Sequence, residues 1–143
     1  MIRTKRIFEH RSPEDGYRIL VERNWPKGVR REEGKVDFWM RKLAPSSILT
    51  HWFSRTQRWD EFVKLYREEL KKKIEMLREL KKLEREKGVI TLLYIINNPE
   101  RNPAVVLKDV VENLDEFMKE GEEASVEETK EGGTEEAEEE GSE

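Results

Sequence analysis

The chain contains no cysteine, which excludes disulfides, thiolate nucleophiles and cysteine-based metal sites. Its two histidines, His10 and His51, lie far apart and form no ligand-spaced motif. No apolar run approaches the ~18 residues that suggest a membrane-spanning helix. The start, Met1-Ile2-Arg3-Thr4-Lys5-Arg6, has no apolar stretch behind its charges and does not read as a signal peptide. No carboxylate cluster argues for a bound metal, and no motif names a cofactor. A protein of the cytoplasm, with no membrane partner, is the expectation that remains.

Charge is what the chain has in abundance. Charged residues make up 42% of the 143 and hydrophobic ones 35%, a polar balance with room for one domain. The net −4 hides two regions. Residues 120–143 hold 12 Glu and one Lys; residues 1–119 keep 27 basic against 20 acidic residues, a net +7. A basic folded body, 1–119, therefore precedes an acidic segment, 120–143, whose low hydrophobicity and like charge read as disorder. Richness in Lys, Glu and Arg without cysteine also suits a thermophile.

The body centres on residues 17–28. Ser12-Pro13-Glu14-Asp15-Gly16 is a turn cluster, after which residues 17–23 read as a strand that stops at Trp25-Pro26-Lys27-Gly28. Residues 2–9 suggest a short strand before it, and residues 36–40 a short helical turn after it. Ser46 or Ser47 is placed to cap a helix carrying Leu49, Trp52 and Phe53. From Trp59 to Lys87 apolar residues recur at three- and four-residue steps, which predicts one long amphipathic helix ending at Gly88. Residues 89–96 are apolar on both faces, as in a strand buried between layers. Asn102-Pro103 then looks like an N-cap and first turn, opening a helix to about Met118.

Alternating strands and helices in this order predict a small single α/β domain, with a mainly parallel sheet flanked by helices. Strands 17–23 and 89–96 are expected side by side, with their carboxyl ends on one edge. Open α/β sheets bind ligands at that edge.

The stretch Asp15 to Gly28 resembles the signature of the YeaO-like proteins, domain-of-unknown-function family 488. The resemblance continues through Trp39, Lys42, Ala44-Pro45-Ser46, Trp59, Phe62, Tyr66, Glu69-Leu70, Thr91-Leu92-Leu93-Tyr94 and Asn102-Pro103-Ala104. It spans about residues 2–118 and implies a fold without an established reaction. Family members usually carry aspartate where this chain has Glu22, leucine at Asn24 and arginine at Lys27. Lysine cannot make arginine's bidentate fork.

The candidate ligand-binding residues are Arg18, Glu22, Arg23, Trp25, Lys27, Gly28, Tyr94 and Asn102. Arg18, Arg23 and Lys27 suit a phosphate or carboxylate, with Gly28 allowing close backbone approach. The plainer readings pair Arg23 with an internal carboxylate and leave Arg18 on the solvent side of an edge strand. Glu22 and Arg23 should point to opposite sheet faces if the strand stays regular. Trp25, Trp39, Trp52 and Trp59 suit a stacking wall or, more simply, the core. Ser46 reads as a cap rather than a nucleophile, since no Ser-His-Asp pattern is visible. Two functions follow: a protein binding or processing a small anionic ligand, or a nucleic-acid-associated protein using the basic body. A scaffold acting through the long helix is the third. The first is favoured, because basic residues alternating with acids along a helix usually mean a solvated face.

Overall fold

A computed structural model describes residues 1–121. Four parallel strands, β1 (Ile2–Arg6), β2 (Tyr17–Leu20), β3 (Phe38–Trp39) and β4 (Ile90–Tyr94), form one sheet in the order β1-β4-β2-β3. Strand β4 pairs with β1 from Ile2↔Ile90 to Arg6↔Tyr94, and with β2 from Tyr17↔Ile90 to Leu20↔Leu93. Its five residues are all buried, in keeping with their continuous apolar run. All four carboxyl ends share one edge.

Five helices follow the sequence pattern: α1 (Ser47–Thr56), α2 (Trp59–Leu70), α3 (Ile74–Lys87), α4 (Pro103–Glu112) and α5 (114–121). Buried side chains of all five join one core with Ile2, Ile19, Val21, Ile90, Leu92 and Tyr94. The alternate strand residues, Leu20 and Leu93, pack with Ile7 and Val29, against the half-buried Trp25, Val36, Trp39 and Ile95. One sheet face thus carries the helices. The connection from β2 to β3, with Trp25, and Trp39 of β3 cover the other, a division that follows from the period-two alternation of strand side chains.

The strand entry is tightly specified. Gly16 has φ +62°, and a Cβ there would sit 2.2 Å from the carbonyl oxygen of Val89, so only glycine allows the two strands to start side by side. Tyr17 N–H donates to that same carbonyl at 3.0 Å.

Two expectations need correction. The predicted helix over 59–87 is two helices, α2 and α3, parted at Lys71-Lys72-Lys73. Unbroken, its 29 residues would run about 44 Å, longer than a domain of this size is wide. The backbone instead tightens at the corner, with Lys72 N–H donating to Glu69 O and Lys73 N–H to Leu70 O. The expected helical turn at 36–40 is edge strand β3, whose neighbours Asp37 and Met40 donate to Arg18 O and Leu20 O. Aromatic Phe38 and Trp39 suit a strand beside the open edge of β2. In the last segment Asn113 interrupts the helix between α4 and α5. The reading of 120–143 as a disordered tail falls, past Gly121, outside the described residues.

Candidate functional site

Strand β2 ends at Leu20, but Val21 N–H still donates to Leu93 O at 3.2 Å. The next residues leave the sheet at its carboxyl edge. There they meet α1 and the ends of β1 and β4 in a cleft of about 700 Å³. Glu22, Arg23, Trp25 and Lys27 all line it, joined by Arg6 from the end of β1, Phe8 just beyond it and His51 from α1.

Each charged group is held in a different way. Arg23 donates from Nε to Pro45 O at 3.2 Å and from Nη2 to Ala44 O at 3.0 Å. Those carbonyls lie just before α1, so Arg23 is tied to backbone and keeps its charge uncancelled. Arg6 donates from Nε to Ile95 O at 2.7 Å, and its guanidinium lies 4.8 Å above the Phe8 ring. Lys27 is exposed and makes no hydrogen bond or ion pair among the described residues. Glu22 is the one carboxylate among the described residues lining the cleft. Its Oε2 accepts from Ile95 N–H at 3.0 Å. Burial pushes its pKa up to about 7, against the lowering effect of that hydrogen bond, so near neutral pH its negative charge is only partly present. Among the described residues, three cations and one acid thus line the same cleft. Tyr66, buried in α2, belongs to the core, and its hydroxyl donates to Leu43 O at 2.5 Å. Burial first, then the charges of Glu22 and Glu69, push the Tyr66 pKa upward.

The tryptophans do not form a wall. Trp25 lines the cleft, donates from Nε1 to Val29 O at 2.6 Å, and meets Trp39 edge-on at 5.4 Å. Trp39 donates to Glu22 O at 2.6 Å, which fixes the turn that carries the acid. Trp59 stacks on Phe62 within the helical layer, and Trp52 is half-buried in α1.

Four sequence candidates lie elsewhere. Arg18 is fully buried on the opposite sheet face. It pairs with Asp15 at 2.6 Å and donates from Nε to Lys35 O at 2.7 Å. That differs from the solvent-side placement expected for it, because the 35–37 segment closes over β2. Burial raises the pKa of Asp15, but the bonds from Ser12 N–H, Arg18 and Lys5 outweigh it and hold the net value low. Asn102 is buried as the N-cap of α4, accepting from Val105 N–H at 3.1 Å and donating to Asn98 O at 2.9 Å. Tyr94 packs in the helix-side core, with its pKa raised by burial and then by Glu9. Gly28 has φ +85° and open space around it, beside the cleft residue Lys27.

The residues missed from sequence come from α1. Ser47, Thr50, His51 and Ser54 all face the cleft. They recur at three- and four-residue steps, an uncharged polar face on a chain whose other helices are dense in charge. That contrast was the available signal. Ser46, by contrast, caps α1 by accepting from Leu49 N–H at 3.1 Å, and donates to Glu69 Oε2 at 2.6 Å. The His51 ring has no hydrogen-bond partner among the described residues, so no base is oriented against a nucleophile.

A second depression, about 530 Å³, lies between α3 and the α4–α5 corner. Arg78, Lys81 and Arg85 there face Glu112, Asp115 and Glu116, a balanced set away from the strand ends. Among the described residues no group of three or more His, Asp or Glu is placed to hold a metal ion. No helix among them is long and apolar enough to cross a membrane.

Fold and site together define a parallel α/β domain with a basic cleft at the strand carboxyl ends. The family profile described as "Inactive DUF488-N3 subclade" matches residues 1–128. The chain belongs to this family of YeaO-like DUF488 proteins. It is 36% identical over 111 residues to the uncharacterised protein Rv3073c of Mycobacterium tuberculosis, covering 77% of this chain and 92% of that one. It is 32% identical over 114 residues to the uncharacterised protein YeaO of Escherichia coli, covering 79% and 98%. No solved structure matches the chain.

Proposed function

We propose that this protein binds a small anionic or phosphate-bearing ligand in the strand-end cleft, without chemical turnover. The observation that supports the reading is the convergence of Arg6, Arg23 and Lys27 on one cleft in which Glu22, the single carboxylate among its described lining residues, has its pKa raised to about 7 by burial. Cations that spend their hydrogen bonds on backbone carbonyls retain the charge needed to attract an anion. The cleft also offers hydroxyls from Ser47, Thr50 and Ser54, suited to the remaining oxygens of a phosphate. Its volume lies in the range of metabolite-sized pockets. Binding without turnover agrees with the word "inactive" in the family description and with a His51 ring that no carboxylate among the described residues orients.

The nucleic-acid alternative draws less support. Along α2 and α3, Arg58, Lys71, Arg78, Lys81 and Lys82 each pair with an acid three or four residues away. Such a face is electrically mixed rather than a continuous basic track.

The test is thermal stability of the full chain against a panel of phosphate-bearing metabolites, nucleotides and short oligonucleotides. A ligand at ~100 times its dissociation constant adds ~2.7 kcal/mol, enough for a clear shift. A shift with small phosphate compounds that weakens in Lys27→Ala is the expected result. A shift with oligonucleotides alone, fading steeply with salt, would replace this reading with the nucleic-acid one.

A further inference from the structure

The described chain leaves the domain at a defined place. Glu120 of α5 pairs with Arg67 of α2 at 2.9 Å, and a Cβ on Gly121 would lie 4.0 Å from Lys71 Cγ. The chain therefore exits beside the Lys71-Lys72-Lys73 corner. The 22 residues that follow carry 11 Glu and one Lys.

From that corner basic ground continues to the cleft. Lys72 and Lys73 line a depression of about 390 Å³ together with Arg23, Ser46, Ser47, Ile48 and one acid, Glu69, whose carboxylate accepts from Ser46 N–H and Oγ–H. Arg23 and Ser47 also line the strand-end cleft. Lys72 and Lys27 are exposed at either end of this path, and neither side chain has a partner among the described residues. The other concentration of basic residues, Arg78, Lys81 and Arg85, already faces Glu112, Asp115 and Glu116.

We infer that the acidic segment beyond Gly121 docks in cis along this path, from the lysine corner into the strand-end cleft. There it acts as a tethered competitor for the cleft's anionic ligand. The competition rests on the anion reading above; the docking itself does not. Reach is ample. Twenty-two residues span at most about 75 Å when fully extended. A domain of ~120 residues has a radius of gyration of only about 14 Å. Tethering supplies a high effective concentration, so individually weak Glu–Lys and Glu–Arg contacts add up. Dense negative charge against cations that keep their charge gives the direction, and salt should weaken it.

The absence of native cysteine makes a single label clean. A spin label on the full chain at Thr134→Cys, read by amide NMR, should cost signal intensity at Asn24, Trp25, Lys27, Ser47 and Lys72. Signals around Arg78 and Arg85 should be spared. Intensity should return at 1 M salt, where the screening length falls to about 3 Å from about 10 Å at 0.1 M. It should also return when the tail glutamates are changed to glutamine. Bleaching confined to Arg78–Arg85, or none at low salt, overturns docking. The two readings then part on ligand binding. Anions that bind equally with native and neutralised tails overturn competition. If no anion binds even with the tail neutralised, the cleft reading fails, while a label localised at Lys72 and Lys27 keeps the docking.

Discussion

Glu22 and Ile95 join the carboxyl ends of β2 and β4 through a 3.0 Å bond from the Ile95 N–H to Glu22 Oε2. That bond holds Glu22, the only acid among the described residues lining the cleft, in a partly buried position. In this place the carboxyl group is easier to keep protonated than in the unfolded chain.

A pH dependence follows from it. The folded pKa is raised from 4.5 to about 7. Stability from the protonated form is therefore fully present below about 4.5 and is lost as pH rises through about 7. The difference amounts to up to about 3 kcal/mol at ~1.4 kcal/mol per unit. Glu22→Gln keeps an acceptor for Ile95 and cannot ionise. Melting temperatures at pH 5 and pH 8 should show the variant level with the parent at the lower pH and more stable at the higher. Equal pH slopes in the two proteins would refute a buried Glu22.

The Arg18–Asp15 pair is expected to be structural. Its side chains are 0% and 1% exposed; without Arg18, Asp15 keeps the Lys5 ion pair and the Ser12 N–H, so the cost should fall below the about 3–5 kcal/mol of a fully stranded buried charge. Arg18→Leu should lower the urea midpoint, and adding Asp15→Leu should recover part of the loss. Simple additivity of the two changes would show that the groups do not interact.

Gly16 and Gly28 separate two roles of glycine. Gly16→Ala adds a clash with the Val89 carbonyl to an unfavourable positive φ, whereas Gly28→Ala meets open space. The second should cost about 1–2 kcal/mol and the first more, enough to impair expression of folded protein. Chemical denaturation of both variants gives the comparison, and equal losses would contradict the close approach of β2 and β4.

Asn102→Ala should destabilise by about 1–3 kcal/mol, from the lost cap and an unsatisfied buried N–H. Affinity for any cleft ligand should not change, since Asn102 lies outside the cleft lining. Parallel melts and binding titrations would separate the two effects.

Much of this was legible in advance, where one local signal decided the structure. The run through Leu92 and Leu93 marked a buried strand, and Asn102-Pro103 marked a helix start. The convergence of Glu22, Arg23, Trp25 and Lys27 followed from the apolar run 19–21 stopping at a Pro/Gly turn. Other features depend on partners far along the chain. Nothing near Arg18 announces that Lys35 O will meet its guanidinium. Leu70 and Ile74 keep their four-residue step across the α2–α3 corner, so periodicity concealed the break. Strand β3, two residues long, has no period to read. The polar face Ser47–Thr50–His51–Ser54 had the right spacing, but its meaning came only when α1 was laid across the strand ends.

The most direct test of the cleft is an amide NMR titration of the full chain with the phosphate compound giving the largest thermal shift. The expected result is saturable shifts concentrated at Arg6, residues 22–27, Ser47, Thr50, His51 and Ile95, with affinity lowered about tenfold or more in Lys27→Glu. Saturable shifts centred on Arg78, Lys81 and Arg85, or binding unaffected by Lys27→Glu, would contradict it and move the site away from the strand ends.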